Sequence, residues 1–78
     1  MDVNSFHVQA DWDAEAGVWV ATSDDVPGLV TEAETIEALT SRLRTMIPEI
    51  LEANGLLPDG SIAFEVTSHR QELVTLAS

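Results

Sequence analysis

The sequence predicts an α+β domain: an antiparallel sheet with one main helix packed on one face, in the order strand, strand, strand, helix, strand. Three observations predict it. Apolar and polar residues alternate over Phe6–Trp12 and again over Ile62–Val66, the two-residue period of a half-buried strand. Between these segments Ile36, Leu39, Leu43, Met46, Ile47, Ile50 and Leu51 recur at helical spacing and form one continuous apolar stripe. The segments are parted by short turns carrying Gly or Pro, and a single amphipathic helix has a sheet face as its natural cover.

The elements follow in order. Phe6, Val8, Ala10 and Trp12 take one face of the first strand, with His7, Gln9 and Asp11 on the other. Asp13-Ala14-Glu15-Ala16-Gly17 suits a short hairpin loop, and Val18-Trp19-Val20-Ala21-Thr22-Ser23 is a second strand rich in β-formers. Pairing Trp12 with Val18 and Ala10 with Val20 gathers Phe6, Val8, Ala10, Trp12, Val18 and Val20 on one face. The opposite parity would bury Trp19 beside Ala21, and a one-residue slip inverts every position. The first choice buries more apolar side chain and places Trp19 on the outer face. Asp24-Asp25-Val26-Pro27-Gly28 reads as a turn in which Pro27 presets φ and Gly28 is free to take φ > 0.

A short third strand over Leu29–Ala33 leads to Thr35, a suitable N-cap, with Glu34 and Glu37 near the positive end of the helix dipole. Arg42 and Arg44 fall off the apolar stripe. Pro48 removes a hydrogen bond to residue 44, and because the stripe continues through Ile50 and Leu51 the expectation is a kinked helix rather than a terminated one. Asn54-Gly55 is a stop, with Gly55 at the C′ position. After the Pro58-Asp59-Gly60 turn, the even parity of Ile62, Phe64 and Val66 returns at Val74 and Leu76. This predicts a long strand or two strands; a frayed tail and a helix over 70–76 are the alternatives. Residues 1–78 read as a single domain, with its core over residues 6–68 and a C-terminal strand or tail over 69–78.

Composition excludes several classes. The 78 residues carry 14 Asp/Glu against three Arg, for a formal charge of -11. Such acidity argues against binding a phosphate backbone and favours basic partners. The absence of cysteine removes disulfides and thiolate metal sites, and 45% hydrophobic content argues against disorder. No apolar run approaches the roughly 18 residues of a membrane span, and the N-terminus lacks a basic region, so a cytoplasmic protein is expected.

Candidate sites are few. Asp11, Asp13 and Glu15 alternate like calcium-loop acids, but Ala16 and Thr22 stand where that loop needs Gly and a bidentate Glu. His7 and His69 could share a metal with an Asp only if their strands meet, and their spacing does not require it. Neither a nucleophile elbow nor a phosphate loop occurs; an enzyme is not expected, nor a cofactor or metal. What rises above background is Trp19, as an aromatic interface anchor, and the acidic rim of Asp24, Asp25, Glu32 and Glu34 around the turn and the helix start, as a docking patch for a basic partner.

Val18-Trp19-Val20-Ala21 through Asp25-Val26-Pro27-Gly28-Leu29-Val30-Thr31, followed by Thr35 and Glu37-Ala38-Leu39, resembles the N-terminal domain of HicB-like antitoxins. Trp19 takes the aromatic position, Pro27-Gly28 the turn and Thr35 the helix cap. Within that superfamily the run from Ala10 to Leu29, with Ile47-Pro48-Glu49 in the helix, looks most like a short stand-alone bacterial group of unknown function. The resemblance covers residues 6–55. It implies a reduced ribonuclease-H-like fold without catalysis, whose relatives mask a small basic HicA-type mRNA-cleaving toxin. Those antitoxins also carry a C-terminal DNA-binding module. Only 18 residues follow Gly60, with Arg70 their sole basic residue, so no direct nucleic-acid binding is expected. Two functions remain: an acidic module that binds and neutralises a basic toxin, or a homo-oligomer (a dimer or larger) formed through the C-terminal strand without a toxin.

Overall fold

The computed structural model describes residues 4–77; residues 1–3 and 78, which the single-domain reading takes in, lie outside the described residues. Strand β1 spans Asn4–Asp13, β2 Val18–Thr22, β3 Val30–Ala33 and β4 Ile62–His69, with helix α1 over Ile36–Ala53 between β3 and β4. The α+β class and the element order follow the expectation.

The sheet is mixed, not antiparallel. Its strand order is β3-β2-β1-β4, and β4 runs parallel to β1. The connection explains this. Hairpin-type links reverse the chain from β1 to β2 and from β2 to β3, while α1 carries it back across the sheet, so the strand after the helix runs in the direction of the strand before it. Alternating hydrophobicity has the same period in either direction and does not report it.

The β1–β2 register also differs from the expected one. Ala10 lies opposite Ala21, Trp12 opposite Trp19 and Asp13 opposite Val18. Trp19 therefore shares the helix-covered face with Trp12, while Val18 and Val20 take the outer face. The reason lies in the helix. Leu39, Leu43, Ile47 and Leu51 are fully buried in one row, and the sheet floor beneath α1 includes Ala10 and Ala21, both fully buried, and nearly buried Ala33. Small residues let a leucine-rich helix approach the sheet closely, which valines at these positions would prevent. Val8, Val26 and Leu29 complete the buried core, and Phe6, Ile62, Phe64 and Val66 pack against it while remaining partly open to solvent.

The turns are made as their residues suggest. The Asp13 carbonyl accepts from the Gly17 N–H at 2.8 Å, and the Asp13 carboxylate accepts from the N–H groups of Glu15 and Ala16. The Thr35 hydroxyl caps α1 by accepting from Ala38 N–H at 3.0 Å. At the other end Gly55 has φ 69° and donates to Glu52, while Leu56 donates to Leu51, the paired bonds of a Schellman stop. The helix runs on through the half-buried Pro48 to Ala53.

Beyond His69 neither the expected further strand nor the alternative helix forms among the described residues. Residues 70–77 have no regular secondary structure and are exposed throughout. They extend the molecule to 59 × 25 × 19 Å with a radius of gyration of 15.1 Å. A compact chain of this length would have about 11–12 Å.

Candidate functional site

The site is built around β3, a four-residue strand at the edge of the sheet. Its first residue, Val30, is 67% exposed, and each end of the strand is bordered by a pair of carboxylates. Asp24 and Asp25 occupy the turn before it. Glu32 projects from it on the outer face, opposite Val20, and Glu34 follows at the helix start. All four acids are exposed.

The turn at the first end is tied to β1. Extending the β1–β2 register past Thr22 would place residue 24 opposite His7, but β2 stops there and side chains take over. The Asp25 carboxylate accepts from the His7 backbone N–H at 2.7 Å, and the Ser23 hydroxyl donates to the His7 carbonyl at 2.5 Å. The same hydroxyl accepts from the N–H groups of Asp25 and Val26. Val26 is thereby held in the core, and Gly28 reverses the chain at φ 83°. An open depression of about 230 Å³ results, lined by His7, Gln9, Thr22, Ser23, Asp24 and Asp25. A second, of about 410 Å³, lies at the other end of β3, where Glu32, Glu34 and Thr35 meet Val18, Ala38 and Arg42.

The four rim acids thus form two groups, one at each end of β3, and Trp19 belongs to neither depression. It is half-buried on the helix face, with its ring 5.3 Å from that of Trp12 at 60°. The Arg70 guanidinium lies 4.2 Å from the Trp12 ring centroid and forms an ion pair with Glu72. The expectation of an outward-facing tryptophan is corrected with the register on which it rested.

The histidines do not meet. His7 is level with Glu65 and His69 with Asp11, so the two lie four positions apart along neighbouring strands, about 13 Å by strand rise. The His7 ring instead shares a hydrogen bond of 2.8 Å with the Thr67 hydroxyl. Among the described residues no group of three His, Asp or Glu is placed to hold a metal ion. Ser23 has its hydroxyl engaged by backbone groups and no imidazole bonded to it, so the first depression offers carboxylate charge rather than an activated nucleophile. Sequence reasoning missed Ser23, although a Ser just ahead of an Asp-Asp turn is a recognisable local signal. It also missed Arg42, whose place beside Glu32 and Glu34 depends on the fold.

Residues 5–77 match a family described as a domain of unknown function, DUF1902. The chain belongs to this family. It is also similar to a solved structure, a hypothetical protein from the extremely thermophilic bacterium Thermus thermophilus. That protein is 46% identical with a TM-score of 0.71, and the alignment covers 94% of this chain and 100% of the other. None of the curated proteins matches the chain. Among the described residues no helix is long and apolar enough to cross a membrane.

Proposed function

We propose that this DUF1902 chain is a non-enzymatic, acidic protein-binding module of HicB-like type, which docks a small basic protein, an RNA-cleaving toxin, in the cytoplasm. The observation that carries this reading is the exposed β3 edge with Asp24 and Asp25 at one end and Glu32 and Glu34 at the other. A sheet edge supplies unpaired backbone donors and acceptors, and the flanking carboxylates attract lysine- and arginine-rich surface and set its orientation. With a formal charge of -11, the chain would speed encounter with a cationic partner and repel nucleic acid. A toxin held on this edge would have its RNA-binding surface masked. The reduced ribonuclease-H-like architecture implied by the HicB resemblance belongs to the same proposal, and the β-β-β-α-β order supports it.

A pull-down from the native host tests the reading. It predicts recovery of a small basic protein, released steeply as salt rises. Recovery of this chain alone would sink it. The second reading, a homo-oligomer formed through the C-terminal segment with no toxin, is favoured by one observation: the exposed apolar residues of the tail. Oligomerisation and docking of a basic partner are themselves compatible, because they use opposite edges of the sheet.

A further inference from the structure

Residues 70–77 are an extended segment that pairs with no strand among the described residues. Leu73, Val74 and Leu76 are 92%, 80% and 84% exposed, the three highest values among the exposed large apolar side chains. Arg70 and Glu72 pair with each other, which places positions 70 and 72 on the same side of the segment, as in a strand. Arg70 also rests on Trp12, so the segment leaves the domain on the helix-covered face of the sheet.

The segment cannot readily fold back on its own domain. Arg70-Gln71-Glu72-Leu73-Val74-Thr75-Leu76-Ala77 contains no Gly, Pro, Asn or Asp to make a turn. β4 next to it is also incomplete. It is an edge strand of eight residues whose outer backbone groups have no strand beside them among the described residues, and its inner side chains Ile62, Phe64 and Val66 are not fully covered.

We propose that residues 70–77 form an exchange arm that pairs antiparallel with the free edge of β4 in a second copy of this chain, while the second copy's arm pairs with β4 of the first. A two-fold axis near residue 69 lays each arm along the other copy's β4 and satisfies both edges at once. Charge selects a second copy as the occupant. Residues 62–77 contain one Arg and two Glu in a chain of formal charge -11, so this is where two equally acidic molecules can approach. The β3 edge, with four carboxylates beside it, repels its own kind.

Side-chain parity narrows the register. Even-numbered residues of β4 face the helix side, and the arm continues that alternation through Arg70 and Glu72. Keeping even residues opposite even residues, one register sets Val74 opposite Phe64 and Leu76 opposite Ile62. A shift one way sets Arg70 opposite Arg70 of the other copy, an unfavourable like-charge pair. A further shift leaves Phe64 and Ile62 uncovered. The first register covers the most apolar surface without a charge conflict, and it also sets Glu65 opposite Leu73 on the outer face.

This inference rests on the homo-oligomer reading and names the surface it uses. The chain has no cysteine, which makes a direct test clean. Differently tagged copies carrying Glu65→Cys and Leu73→Cys are mixed and oxidised, and the mass of the unmodified full chain is measured by light scattering at micromolar concentration. The expected results are a mass twice the 8.4 kDa of one chain and a disulfide joining the two tagged copies. The double substitution Val74→Asp with Leu76→Asp should give a monomer with unchanged circular dichroism. A monomeric unmodified chain overturns both the oligomer reading and the arm. A dimer that survives the double substitution, or that forms no disulfide between these positions, leaves the oligomer reading standing and overturns the arm.

Discussion

Replacing Ala21 by Val should destabilise this protein more than replacing Val20 by Ala, although the first adds apolar volume and the second removes it. Ala21 is fully buried between Ala10 and the helix, where two added methyl groups have no space. Overpacking of this kind costs about 1–3 kcal/mol. Val20 faces outward and is half-buried, opposite Asp11 on one side and Glu32 on the other. Two methyl groups at about 0.8 kcal/mol each when fully buried, reduced by roughly a quarter because Val20 keeps part of its surface in water, give about 1.2 kcal/mol, below the middle of that range. For a domain of this size each kcal/mol moves Tm by about 4–8 °C. Urea unfolding followed by fluorescence gives both values, since Trp12 and Trp19 are the two tryptophans and sit beside each other at the end of the sheet. The opposite ranking, with Val20→Ala the more costly, would refute the register and return Trp19 to the outer face.

Other outcomes follow from single contacts. Thr35→Ala removes the hydroxyl that accepts from Ala38 N–H and should cost about 1 kcal/mol in urea midpoint analysis, with Thr35→Ser restoring most of it. Ser23→Ala leaves the His7 carbonyl and the Asp25 and Val26 N–H groups to water; a loss of about 1 kcal/mol and faster amide exchange at Val26 are expected. A Cβ at Gly55 would meet nothing within 4 Å, so Gly55→Ala should cost only the strain of its left-handed backbone, about 1–2 kcal/mol by thermal unfolding.

How much of the fold is legible in the sequence depends on the range over which each signal acts. The Thr35 cap, the Gly55 stop, the Pro27-Gly28 turn and the row Leu39, Leu43, Ile47 and Leu51 are local, and each is placed as its own residues dictate. The β1–β2 register departs from expectation because counting apolar side chains favours Val18 and Val20. The deciding requirement, a floor of alanines under a close helix, is set by a segment elsewhere in the chain. The direction of β4 is hidden because alternation is blind to strand polarity. For the candidate site, the acids are legible as a group, but their division between the two ends of β3 is not. Trp19 changes face for the same reason as its strand. The continued even parity at Val74 and Leu76 suggests a strand, and within the described residues of one chain that strand has nothing to pair with.

Docking of a basic protein at the acid-flanked β3 edge has a direct measure. Isothermal titration of the small basic protein recovered from the host tests it most directly, using the unmodified chain and a Glu32→Lys, Glu34→Lys variant over a series of salt concentrations. Affinity should fall steeply with salt for the unmodified chain, and binding should weaken by at least about tenfold in the variant with its fold intact, roughly 1.4 kcal/mol. Equal affinities for the two chains, unchanged by salt, would contradict it.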